Sequence, residues 1–169
     1  MIYRGVILIM NISTNEKLAR VVAQLLRAKG MKVSFAESCT GGLLAATFAS
    51  VSGISDILDL SFVTYANWAK INYTNVTQDI LDEFGAVSEH TAVLMASGVR
   101  ERSGSNIGVG VTGIAGPEGG SIDKPVGTVY IAFAIEEDTI VEHFNFSGDR
   151  NEIRKQTVRQ ALTLLGECV

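Results

Sequence analysis

A serine that closes a strand-like run and precedes two glycines, in Ala36-Glu37-Ser38-Cys39-Thr40-Gly41-Gly42, is the first place in this chain where chemistry could reside. A hydroxyl on a strand-to-helix turn is accessible to a ligand, and the backbone amides of Thr40, Gly41 and Gly42 at a helix start could hold a phosphate or steady an oxyanion. Spacing alone favours a plainer reading, in which Ser38 or Thr40 is an N-cap and the glycines permit a tight turn. A serine is also a weak nucleophile until a base takes its proton. Phe62-Val63-Thr64-Tyr65-Ala66-Asn67-Trp68-Ala69-Lys70 offers such a base, because a desolvated lysine with a lowered pKa can act as one, and Tyr65 stands within a few residues of it. The plain alternatives are a surface charge for Lys70 and a core aromatic for Tyr65.

Three further features compete for a role. Cys39 follows Ser38 at a helix N-terminus, where a thiolate is favoured, although no histidine lies in a motif loop to partner it. Val111-Thr112-Gly113-Ile114-Ala115-Gly116-Pro117 exposes bare backbone that a ligand could approach closely. Arg150, in Ser147-Gly148-Asp149-Arg150, falls in the first turn of a helix, where a cation is poorly placed for the dipole. Either an anionic ligand or a salt bridge to Asp149 or Glu152 would explain it. His90 and His143 lie outside the motif loops and read as structural. Two isolated histidines and two separated cysteines give no metal-ligand spacing, and neither a dinucleotide fingerprint nor a P-loop is present, so no metal and no cofactor are expected.

The elements that would position these residues are legible from periodicity. Ser13 to Glu16 reads as a capping box opening a helix that carries Leu18, Val21, Val22, Leu25 and Leu26, with Gly30 as its stop. A short strand over Lys32–Ala36, the Ser38 loop and an alanine-rich helix over Leu43–Ser50 come next. Ile57–Tyr65 reads as a buried strand, Thr77–Phe84 as a short helix closed by Gly85, and Ser88 as the cap of a helix reaching about Arg102. Asn106–Thr112 is a strand before a glycine-dense loop. Val126–Ile135 and Thr139–Phe146 form an antiparallel hairpin around Glu136-Glu137-Asp138, and Asp149 caps a long last helix with Gly166 near its end. Strands alternating with helices before a late hairpin predict an α/β fold, a three-layer α/β/α sandwich around a mixed sheet. Ligands gather at the strand ends of such sheets, where both glycine-rich loops fall.

At 169 residues, 47% hydrophobic content and a net charge of −4, the chain suits one compact domain and lacks the basic footprint of a nucleic-acid binder. An anionic substrate would need local capture by helix N-termini or a placed arginine. Cys39 and Cys168 suggest no disulfide framework, which points to a reducing compartment. The apolar run before Met10 is too short to span a membrane and lacks a cleavage site. The reading is therefore a 1–12 extension, with Met10 as an alternative start, before a single 13–169 domain in a cytoplasmic protein.

Six blocks taken in order closely resemble the CinA C-terminal domain family: the Ser38 segment above, Phe62-Val63-Thr64-Tyr65-Ala66-Asn67, Gly85-Ala86-Val87-Ser88, the Val111–Pro117 loop, Lys124-Pro125-Val126-Gly127-Thr128-Val129 and Phe146-Ser147-Gly148-Asp149-Arg150, while Trp68 and Ile71-Asn72-Tyr73 around Lys70 depart from it. The resemblance covers about residues 15 to 165. It implies a stand-alone amidohydrolase that converts nicotinamide mononucleotide to nicotinate mononucleotide and ammonia. By that resemblance Ser38 is the nucleophile, Lys70 the general base and Tyr65 a hydroxyl that orients or relays the proton. Thr40, Gly41, Gly42, Thr112, Gly113 and Arg150 surround the substrate, with Arg150 on its phosphate. A homodimer is the expected assembly. A nucleotide-binding regulatory module without turnover is the competing implication.

Overall fold

The computed structural model describes residues 12–136 and 138–169; all but one residue of the expected 1–12 extension, with the Met10 start, lie outside them. Helix α1 (Asn15–Lys29) starts one residue later than a Ser13 cap would place it. Thr14 Oγ1 accepts from Lys17 N at 3.3 Å, while Ser13 Oγ is engaged by the Lys17 ammonium at 3.4 Å. Gly30, at φ 65°, ends the helix as its position suggested. The reciprocal capping box occurs instead at the far end of the chain, where Asp149 and Glu152 open α6 (Arg150–Cys168), and Gly166 does not interrupt that helix.

Between them run β1 (Val33–Glu37), α2 (Leu43–Ala49), a 3₁₀ turn over Ile54–Asp56, β2 (Leu58–Val63), α3 (Asn67–Tyr73), α4 (Gln78–Phe84), α5 (Glu89–Ser103), β3 (Ile107–Gly113), β4 (Thr128–Ile135) and β5 (Asp138–Asn145). Helix α3 is not visible in the residue pattern, since Ala66 supplies no side-chain cap and the helix is two turns long. Sheet order is β2-β1-β3-β4-β5, with β2, β1 and β3 parallel and β4 and β5 antiparallel. The hairpin turn is tighter than expected, because Asp138 already pairs with Ile135.

Period-two alternation divides the strands between two layers. Val33, Phe35, Ile107, Val109, Val111, Val129, Ile131 and Phe133 face α1, α2 and α6 and form the larger core with Leu18, Leu26, Phe48, Ile153 and Leu162. The opposite face is lined by small residues. Ala132 and Ala134 meet Ala92 and Ala96 of α5, and Gly108 and Gly110 let that helix lie almost on the backbone. A Cβ on Gly108 would stand 2.1 Å from the Ala96 carbonyl oxygen, and one on Gly110 would stand 2.2 Å from that of Ala92. This makes the chain a mixed five-stranded sheet with helices on both sides. Among the described residues, no helix is long and apolar enough to cross a membrane.

Candidate active site

The Ser38 loop leaves the sheet at the ends of two parallel strands. β1 closes at Glu37, and Ser38 N still donates to the Val111 carbonyl of β3 at 2.9 Å, so the hydroxyl stands at the edge of the sheet with its residue 8% exposed. Glu37 itself is fully buried, and its carboxylate accepts from Leu44 N at 3.0 Å and Ala45 N at 2.8 Å. The acid before the serine therefore caps α2, and neither Ser38 nor Thr40 does so. The turn between them needs the left-handed backbone of Gly41 at φ 59° and Gly42 at φ 89°.

Lys70 arrives from α3. Its residue is 1% exposed, which rules out a surface charge, and its Nζ donates to Ser38 Oγ at 3.0 Å, to Thr64 O at 2.9 Å and to Tyr65 O at 3.2 Å. Burial holds the ammonium down from 10.5 to about 8, with only weak opposition from the Cys39 side. The partner set also decides which way the neutral amine faces. Thr64 and Tyr65 offer carbonyl oxygens, which can only accept, so the two N–H groups of a neutral amine go to them and its lone pair is left toward the Ser38 hydroxyl, the one neighbour with a hydrogen to give. Cys39 is the opposite case: burial pushes its thiol up to about 12, so the thiolate expected from its place near a helix start does not form at neutral pH.

Arg150, at the first position of α6, reaches across the mouth of the site. Its Nη1 donates to Gly116 O at 2.7 Å and its Nη2 to the Tyr65 hydroxyl at 2.6 Å. No salt bridge to Asp149 or Glu152 forms, because the Asp149 carboxylate accepts from Asn151 N and Glu152 N, and Glu152 Oε2 accepts from Asp149 N. Tyr65 is 55% exposed and so no core aromatic; its carbonyl anchors Lys70 while its hydroxyl meets Arg150. Ser38 and Lys70 thus form one hydrogen-bonded group, and Tyr65 joins it to Arg150 by its two ends, the carbonyl on Lys70 and the hydroxyl on Arg150.

The model of the CinA C-terminal domain matches residues 15–169. The chain belongs to the CinA family. A CinA-like protein of Geotalea daltonii is 49% identical over 150 residues, which cover 89% of this chain and 36% of that protein. A putative competence-damage inducible protein of Clostridium botulinum strain Langeland is 44% identical over 153 residues, covering 90% and 37%. The chain thus spans little more than a third of those relatives' length. Among solved structures, a competence/damage inducible protein of Agrobacterium tumefaciens superposes with a TM-score of 0.88 at 44% identity, covering 91% of this chain and 94% of that one. The competence damage-inducible protein A of Klebsiella pneumoniae gives a TM-score of 0.89 at 36% identity, with 92% and 96% covered.

Within this CinA-family chain, the other residues singled out by sequence take plainer positions. Thr112 Oγ1 donates to Ala86 O at 2.6 Å and holds the loop before α5. Gly113 accommodates β4, since a Cβ there would lie 2.7 Å from Thr128 O. The Gly41 amide is committed to the Ser38 carbonyl at 3.0 Å, whereas the Thr40 and Gly42 N–H groups have no oxygen acceptor among the described residues. Thr40 is fully buried, and its hydroxyl has no partner. His90 stacks on Phe84 and His143 on Tyr130, which are packing roles. Among the described residues, no group of three or more His, Cys, Asp or Glu side chains is gathered as for a metal ion. Two participants escape a reading of the sequence. Glu37 sits inside the quoted motif, yet a strand-end acid that caps the next helix has no spacing rule to reveal it. Arg154 does have one, because it repeats Arg150 four residues on and so shares its helix face.

Proposed function

We propose that the chain is a nicotinamide-nucleotide amidohydrolase, converting nicotinamide mononucleotide and water to nicotinate mononucleotide and ammonia. The observation that carries this reading is the 3.0 Å bond between the buried Lys70 Nζ and Ser38 Oγ, with both remaining Nζ donors directed to carbonyls. Family membership supports it, and the named relatives, CinA-like and competence-damage proteins, carry no stated reaction.

Neutral Lys70 takes the Ser38 proton as Oγ attacks the carboxamide carbon. The oxyanion that develops is met by the uncommitted N–H groups of the loop before α2, those of Thr40 and Gly42. The Lys70 ammonium then returns its proton to the departing nitrogen, ammonia leaves, and an acyl ester remains on Ser38. Water, deprotonated by the same amine, hydrolyses the ester and restores the serine. Arg150 is the phosphate anchor: no carboxylate pairs with it, its guanidinium fork matches phosphate oxygens, and a hollow of about 370 Å³ lined by Ala115, Pro117, Val126, Gly148, Asn151 and Asp149, whose carboxylate is occupied in capping α6, opens beside it. No cofactor or metal enters any step. A cytoplasmic homodimer completes the proposal, with the exposed Val63, Trp68 and Tyr73 supplying apolar surface for a second copy.

Ammonia release from nicotinamide mononucleotide, from its phosphate-free riboside and from free nicotinamide tests the reading. Turnover is expected for the mononucleotide, with the riboside much poorer and nicotinamide inert. Tight binding of the mononucleotide with no ammonia released would replace the enzyme by a regulatory binding module.

A further inference from the structure

Helix α6 carries a second arginine that the proposed mechanism leaves unused. Arg154 lies one turn beyond Arg150, partly buried, and directs both Nε and Nη2 to the Thr40 carbonyl oxygen, at 3.1 and 2.7 Å. Among the described residues, no carboxylate lies within salt-bridge distance of it. The carbonyl of Thr40 and the N–H of Gly41 belong to one rigid peptide plane. Its carbonyl end accepts from Arg154 and, at a longer 3.2 Å, from Leu43 N, and its N–H end donates to the Ser38 carbonyl at 3.0 Å. That plane is therefore clamped from α6 on one side and locks the backbone of Ser38 on the other.

Such a clamp is needed because the residue after Thr40 is a glycine. A peptide plane rotates most cheaply beside a residue without a Cβ, and Gly41 is already in the left-handed region at φ 59°. The Thr40 side chain adds no hold, since its buried hydroxyl bonds to nothing, and the backbone adds only the 3.2 Å bond from Leu43 N. Rotation of the plane would withdraw the Gly41 N–H from the Ser38 carbonyl and release the segment that sets Ser38 Oγ against Lys70. We infer that Arg154 is a positioning residue: by fixing the Thr40–Gly41 peptide it holds the Ser38 hydroxyl in line with the Lys70 amine. The inference rests on Ser38 being the nucleophile but not on the identity of the substrate. Charge-assisted donors converging on one oxygen form a strong tie, and a lysine can return only part of it.

Arg154→Met and Arg154→Lys, compared with wild type, separate positioning from mere bracing when two rates are read: covalent labelling of Ser38 by a small fluorophosphonate, and ammonia release from nicotinamide mononucleotide. Labelling by Arg154→Met should slow by about tenfold to a hundredfold, the usual consequence of an ångström-scale misplacement. The kcat should fall in parallel, with KM changed by less than about twofold, and Arg154→Lys should recover part of both rates. A lowered Tm with wild-type labelling rates would make Arg154 a structural tie and overturn the inference. Should Arg154→Met fail to fold, Arg154→Lys decides alone, and labelling at the wild-type rate overturns it. Wild type that labels at Ser38 but releases no ammonia would remove the substrate assignment and leave the labelling ratio to judge Arg154. If wild-type Ser38 resisted the probe altogether, nucleophile and positioning would fall together.

Discussion

At the scale of single residues, the chemistry turns on how few options Lys70 has. Its amine is surrounded by two oxygens that only accept and one hydroxyl that can also give, so deprotonation aims the lone pair without any change of rotamer. Burial lowers its pKa to about 8, which leaves it mostly protonated at pH 7 and mostly neutral at pH 9. Since the base must be neutral to act, kcat/KM for nicotinamide mononucleotide should climb with pH along an acid limb centred near 8 and then level; a profile already flat from pH 6 upward would exclude Lys70 as the base. Cys39, one residue from the serine, shows that position is not reactivity. Its thiol is buried and driven to about 12, while Ser38 gains a base.

Elements do the positioning, and their legibility in the sequence varies with the kind of signal each carries. Helices with an oxygen-bearing cap and a glycine stop are readable to within a residue or two, as with Thr77 and Gly85 around α4 or Ser88 before α5. The strands and the hairpin are evident from β-rich runs between turn clusters. Helix α3, which carries the proposed base, is not readable, because Ala66 opens it without a side-chain cap and tertiary contacts sustain its two turns. Residue identity thus points to Lys70 where local pattern says nothing of the helix. The glycine-dense loop after β3 stands out as a possible ligand approach, yet Gly108 and Gly110 within the strand serve α5, a pairing of distant segments that no local window contains. Glu37 is similar: its role becomes visible only once strand and helix are joined. Removing it strands two N–H groups at the start of α2, one buried and one partly buried, so Glu37→Ala should cost about 3 kcal/mol in urea unfolding and Glu37→Gln, which keeps one acceptor, about 1 kcal/mol. Equal losses for the two variants would show that the capping bonds contribute little.

Over the whole molecule, a buried base is a cost that global stability should register. Between about pH 8 and 10.5 the unfolded chain keeps the Lys70 proton that the folded chain has lost, so the unfolded state binds more protons and stability rises with pH, by at most about 1.4 kcal/mol per pH unit. Cys39 acts in the reverse sense. Its raised pKa makes the folded chain the tighter proton binder above pH 9, so its contribution is full below 9 and lost toward 12. Urea unfolding of wild type against Lys70→Met between pH 7 and 9 therefore isolates the lysine: the difference in stability should shift in favour of wild type as pH rises, and a constant difference would mean that the amine is not desolvated. The sheet, α3 and α6 meet at one place, where strand ends bring Ser38, Lys70 and Arg150 together from three separate segments. The most direct measurement is the rate of ammonia release from nicotinamide mononucleotide at pH 8.5 by wild type and by Ser38→Ala, with both confirmed folded by matching thermal transitions. Serine-dependent nucleophilic catalysis requires turnover by wild type and a loss of at least about a thousandfold in the variant; a Ser38→Ala protein that keeps most of the wild-type rate would contradict it.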